Sequence, residues 1–162
     1  ATCRPDNYTV KMQKKLLTTA IESGEKYIDI EVEADDEYKR EMISIANNRG
    51  CSTIISYHNF LGTPPKNELD KIVQKCFDHG ADLVKIAVQV SHKRDVARVL
   101  GLYDSFNEIL ALGMGQLGIV TRVMATILGA PFTFAALDNN SATAPGQISQ
   151  EELKDLINCF KK

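Results

Sequence analysis

The sequence predicts an α/β chain of the (β/α)8 TIM-barrel type, on three observations. Strand-like and helix-like segments alternate from end to end, the strands read as apolar on both faces, and polar residues gather near strand ends. Such alternation with buried strands calls for a parallel sheet covered by helices. Residues 1–4, 26–33, 51–58, 81–90, 107–115 and 131–137 read as the strands. Arg4, Asp29 with Glu31, His58, Lys85 and Met114 fall at or near the C-terminal ends of different strands, and in a barrel those ends converge on the active face. A doubly wound open sheet competes, but its Gly-rich phosphate turn after the first strand is not visible. About six βα units are present, which leaves the barrel apparently without its first two units, in a single barrel-type domain over residues 1–162.

Each element has a local cause. "ATCR" is short and apolar up to its arginine. Residues 9–23 place Val10, Leu16, Leu17, Ala20 and Ile21 at helical spacing, with Gly24 as the C-cap candidate. In "KYIDIEVE" (26–33), β-branched and aromatic residues alternate with carboxylates, a strand pattern. Residues 35–50 begin with acids at the positive helix end and finish on Asn-Asn-Arg-Gly. "CSTIISYH" (51–58) is a strand, 65–80 a helix ended by Gly80, and "ADLVKIAVQV" (81–90) a strand. Residues 91–106 follow as a helix with Ser91 as N-cap. A strand running into glycine (107–115), a helix (117–129) and a last strand (131–137) lead to the helix 149–162, where Ser149 and Glu152 form a capping box.

Composition narrows the function classes. At 162 residues, 44% hydrophobic and 25% charged, the chain can bury a substantial core. A net charge of −2 with dispersed lysines argues against a nucleic-acid partner. No apolar run approaches the ~20 residues that a membrane helix needs, and "ATCRPDNYTV" lacks a signal-peptide layout, so a cytoplasmic protein is expected. Cys3, Cys51, Cys76 and Cys159 are widely spaced, which fits buried or reduced thiols rather than a zinc site or a disulfide framework.

The informative residue is Lys85. Leu83, Val84, Ile86, Ala87 and Val88 flank it, so its amine must sit in a cavity rather than reach water past its neighbours. Desolvation destabilises a charged amine, and free amine attacks carbonyls, which points to a Schiff-base nucleophile. A structural lysine paired with Asp29 or Glu31 is the equal alternative. His58 closes "TIISYHNF" on the preceding strand, where an imidazole could shuttle protons or serve as a core histidine. His79 and His92 read as surface residues. Asp29 and Glu31, two apart on one strand, could orient His58 or balance Arg4. Arg122 is the one charge in an apolar helical stretch, and guanidinium suits bidentate capture of a carboxylate. "SATAPGQIS" would hold Gln147 in a fixed orientation, though an ordinary helix entry looks the same.

Taken together, "YIDIEVE", "IISYHNFLGTP", "ADLVKIAV", "MGQLGIVTRV" and "APGQIS", in this order and spacing, resemble type I 3-dehydroquinase, the 3-dehydroquinate dehydratase of the shikimate pathway. The resemblance implies a (β/α)8 barrel in which Lys85 forms an imine with the substrate ketone and His58 acts as general acid and base. It implies no metal or organic cofactor, because the iminium is the electron sink. By position, Arg4 and Arg122 would hold the substrate, with Arg122 on its carboxylate. Thr143, where the family commonly has serine, and Gln147 would contact it from the closing loop. Met114 would line the pocket, and Asp29, with Glu31 nearby, would belong to the polar network behind His58. The implied partner is a small molecule, 3-dehydroquinate.

Two departures stand out. The family normally begins with two further βα units, one contributing a glutamate and an arginine, whereas this chain starts at what would be the third strand. A glycine-rich loop with a glutamate is replaced by the short "RPDNYTV". A fragment or a reduced barrel is expected, and its two exposed sheet edges favour a homo-oligomer over an intact barrel's independence. The alternatives are a catalytically silent dehydroquinase-like binding or assembly module and another Schiff-base enzyme such as a class I aldolase.

Overall fold

A computed structural model describes residues 1–3, 8–137 and 147–160. Arg4 and Thr143 lie outside the described residues. The elements run α1 (Val10–Glu22), β1 (Tyr27–Glu31), α2 (Asp36–Asn47), β2 (Ser52–Asn59), α3 (Lys66–Asp78) and β3 (Leu83–Gln89). They continue with α4 (Lys93–Leu100), α5 (Leu102–Ser105), β4 (Ile109–Met114), a 3-10 turn (Gln116–Gly118), α6 (Ile119–Ile127) and α7 (Gln150–Cys159).

The strands form one sheet in the order β1-β2-β3-β4, with β1 parallel to β2 from Tyr27 beside Ser52 to Glu31 beside Ser56. Strand order that follows chain order is that of a barrel wall, whereas a doubly wound sheet reverses direction at its switch point. The parallel α/β fold of barrel type is therefore present, with four strands among the described residues. The end segments expected as strands contribute single parallel bridges only, Thr2 to Asp29 and Ala136 to Ser149. Residues 131–137 begin with Pro131, which has no N–H to donate to a ladder.

Two compact units make up the chain. The first comprises Ala1–Tyr57 with Ile72–Val84. Thr9 caps α1 by accepting the Met12 N–H, and the Asp35 carboxylate caps α2 by accepting from Glu37 and Tyr38. Leu17 and Ile21 of α1, Ile28 and Ile30 of β1, and Tyr38, Met42 and Ala46 of α2 form its core with Cys51. Lys39 is buried in this unit, and its ammonium donates to the carbonyls of Val32 and Ala34 at 2.8 Å each and pairs with Asp36 at 2.9 Å.

The second unit comprises His58–Lys71 with Lys85–Lys162. Leu110 and Leu112 of β4 pack with Ala125 and Ala130, and Tyr103 and Phe132 lie against them. The Thr121 hydroxyl donates to the Gly118 carbonyl at 2.6 Å and accepts the Gly113 N–H at 2.7 Å, which clamps α6 to β4. The approach is close enough that a Cβ on Gly118 would lie 2.4 Å from the Gly113 carbonyl carbon and oxygen. The Tyr103 hydroxyl accepts the Ala111 N–H at 2.9 Å and donates to the Ala111 carbonyl at 3.1 Å. The helix expected over 91–106 divides at Gly101 into α4 and α5. Its N-cap is His92 rather than Ser91, because the Asp95 carboxylate accepts both backbone N–H groups and draws Ser91 outside the helix. Ser149 and Glu152 form the expected capping box on α7.

All four cysteines are free thiols. Cys51 and Cys76 are buried, and burial pushes the Cys76 thiol up to about 12, whereas Cys159 is exposed. Among the described residues no helix is long and apolar enough to cross a membrane.

Candidate active site

A strand buried on both faces carries the amine. Six of the seven residues of β3 are buried, Lys85 among them at 9% exposure. Lys85 is the third residue of β3, with Ile86–Gln89 still to come, so it sits inside the strand rather than at its C-terminal end as expected. The apolar run that made it conspicuous is also what carries the strand past it. Its Nζ lies 5.0 Å from the centroid of the Phe134 ring, within cation–π range.

His58 is the penultimate residue of β2, half-buried, and its ring stacks near Phe60 with centroids 6.2 Å apart and planes 11° from parallel. Met114 ends β4 and is buried. Arg122 lies in α6 at 3% exposure, and its burial lowers the guanidinium pKa. Its Nη1 donates to the Phe134 carbonyl at 3.3 Å, while its Nε is buried and finds no hydrogen-bond partner among the described residues. A buried guanidinium with a spare donor is suited to an incoming carboxylate. Gln147 is half-buried.

Phe134 thus links two of the expected residues: its ring faces Lys85 and its backbone is held by Arg122. Sequence reasoning gave this phenylalanine no role. The available signal was the pair of aromatics two apart in "PFTFAAL", and Phe132 indeed meets Phe134 edge to face, at 83° with centroids 5.7 Å apart.

In the first unit, Asp29 and Glu31 occupy one face of β1, Asp29 buried at 7% exposure and Glu31 half-buried. They stand in register beside Ile54 and Ser56 of β2. His79 approaches Asp36 at 3.9 Å and is half-buried, so it is less of a surface residue than expected, whereas His92 is exposed. No group of three His, Cys, Asp or Glu side chains among the described residues is arranged to hold a metal ion.

The sequence model of the family described as Type I 3-dehydroquinase matches residues 3–162. The chain belongs to the type I 3-dehydroquinase family. A 3-dehydroquinate dehydratase of Methanococcus vannielii is 37% identical over 150 residues, 91% of this chain and 67% of that protein. One of Thermococcus gammatolerans is 40% identical over 132 residues, 82% of this chain and 60% of that protein. Among solved structures, the Clostridium difficile type I 3-dehydroquinate dehydratase with covalently modified comenic acid aligns at a TM-score of 0.84 and 30% identity, over 94% of this chain and 62% of that one. The Geobacillus kaustophilus 3-dehydroquinate dehydratase aligns at 0.89 with 23% identity, over 99% and 66%, a likeness of fold. This 3-dehydroquinase-family chain spans 54 to 67% of the length of the curated relatives it matches.

Proposed function

We propose that the chain carries the 3-dehydroquinate dehydratase reaction of the shikimate pathway, a hydro-lyase step through an imine on Lys85 with His58 as general acid and base. Membership of the family supports the reaction class. The single observation that carries the residue assignment is Lys85, an amine at 9% exposure inside a strand that is otherwise apolar up to Val88. The Clostridium difficile relative was solved with covalently modified comenic acid, an observation on that protein that agrees with a covalent reading here.

In this reading the Lys85 amine adds to the substrate ketone and water leaves, giving an iminium. His58 removes a proton from the adjacent carbon, and the electron pair moves onto nitrogen as an enamine. The enamine then expels the β-hydroxyl, which takes a proton from His58 and departs as water, and hydrolysis of the product iminium frees Lys85. The iminium supplies the electron sink, so no metal or organic cofactor enters. Arg122 binds the substrate carboxylate, which uses its spare Nε donor, and holds the ketone against the amine. Arg4, Thr143 and Gln147 contact the substrate, Met114 lines the pocket, and Asp29 and Glu31 support the polar network of His58. A charged, water-soluble substrate fits a cytoplasmic reaction.

Borohydride reduction with 3-dehydroquinate, followed by mass spectrometry, tests the proposal: a stable adduct on Lys85 is expected, and its absence at saturating substrate rejects the imine. Lys85→Ala is expected to abolish turnover while leaving substrate affinity within about tenfold. A second reading, ligand binding without turnover, is favoured by "RPDNYTV", which lacks the glutamate-bearing loop of the family. Thermal stabilisation by 3-dehydroquinate without product would select it.

A further inference from the structure

We infer that the ring face of Phe134 is an electrostatic partner of the Lys85 nitrogen, stabilising that nitrogen whenever it is cationic and so favouring the iminium over the neutral species that precedes it. The inference rests on the imine reading and assigns a specific device to it. Nζ lies 5.0 Å from the ring centroid, where the negative face of an aromatic quadrupole attracts a cation. Lys85 is 9% exposed, so solvent screens the attraction little.

Phe134 itself is 38% exposed, and an exposed ring would wander if nothing held it. Two contacts fix it. The buried Arg122 guanidinium donates to its carbonyl at 3.3 Å, and Phe132 packs against its ring at 83°. The arginine proposed for the carboxylate is therefore also the group that holds the ring's backbone.

The chemistry explains why a ring serves better than an aliphatic cover. The neutral amine forms a C–N bond to the ketone carbon, and the proton it sheds goes to the former carbonyl oxygen, giving a neutral carbinolamine. A further proton on that hydroxyl releases it as water while the nitrogen lone pair forms the C=N bond, leaving positive charge on nitrogen. Apolar burial alone favours the neutral amine and opposes this last charge. An aromatic face excludes water and still attracts the cation. The expected advantage of phenylalanine over leucine is about two- to thirty-fold in the iminium equilibrium.

The test replaces Phe134 with mono-, di- and trifluorinated phenylalanine, which keep ring shape while draining the quadrupole, alongside Phe134→Leu. Two readouts are taken on the whole chain: borohydride-trapped adduct at subsaturating 3-dehydroquinate, and the pH midpoint at which a neutral acylating reagent labels Lys85. A stepwise fall in both with each fluorine, ending near leucine, is expected; thermal melts confirm that the variants fold alike. Adduct on Lys85 with no dependence on fluorination overturns this inference and leaves the imine reading standing. No adduct in the wild type overturns the imine reading, and the labelling midpoint then decides alone: a fluorine-dependent midpoint supports the ring–nitrogen pairing, and a flat one rejects it.

Discussion

Among the described residues two lysines lie buried, and their surroundings differ. Lys39 on α2 spends its three N–H donors on three oxygens, the carbonyls of Val32 and Ala34 and the carboxylate of Asp36. Lys85 on β3 presents its nitrogen to the face of Phe134. An ammonium saturated by fixed oxygens is a fastener. An aromatic face attracts a cation through its quadrupole rather than through a directed oxygen acceptor. Burial alone therefore does not distinguish the two lysines; the ring face beside Lys85 does.

Methionine at each position would break the comparison in opposite directions. The largest effect is expected from Lys85→Met, which eliminates borohydride-trapped adduct because no amine remains to form the imine. Lys39→Met strands the buried Val32 carbonyl and the part-buried Ala34 carbonyl and is expected to cost roughly 2–3 kcal/mol in urea unfolding with adduct formation retained. A loss of adduct in that variant would show that the fastener and the reagent are not separable.

Gly118→Ala sharpens the same contrast from the scaffold side. Its methyl would sit 2.4 Å from the Gly113 backbone, so β4 and α6 must separate, at a cost of about 3 kcal/mol. Arg122 rides on α6, so adduct yield should fall together with stability.

The smallest effect is a pH dependence at Asp36. Its hydrogen bond from Lys39, then the charge of Lys39, holds its pKa below the ordinary 3.8. A depressed folded pKa gives stability that is present above the unfolded value and lost as pH falls through the folded one. Asp36→Asn should thus lower the urea midpoint at neutral pH, and the gap to wild type should close as pH drops below 3.8.

These pairs also show what the residue order discloses. Lys85 is visible because five apolar neighbours surround it, whereas Lys39 in "DDEYKRE" looks like one charge on a solvated helix. Its burial follows from the chain turning at Val32–Ala34, a tertiary fact. Among the described residues, the expected helices and strands followed local periodicity and caps closely, except where Gly101 broke a helix and where the end segments needed ladder partners to count as strands. Arg122 stood out as a lone charge in an apolar stretch. Phe134 did not, because an aromatic in an apolar segment looks the same whether it fills a core or faces a cation.

Tyr103 has a consequence for how this sheet ends. β4 stands last in the strand order, and one phenol oxygen occupies both the donor and the acceptor of Ala111. Burial pushes that phenol up to about 12, so the plug stays intact until strongly alkaline solution removes its proton. Tyr103→Phe would leave the buried Ala111 N–H and carbonyl without that hydroxyl, and a lower urea midpoint would report the loss.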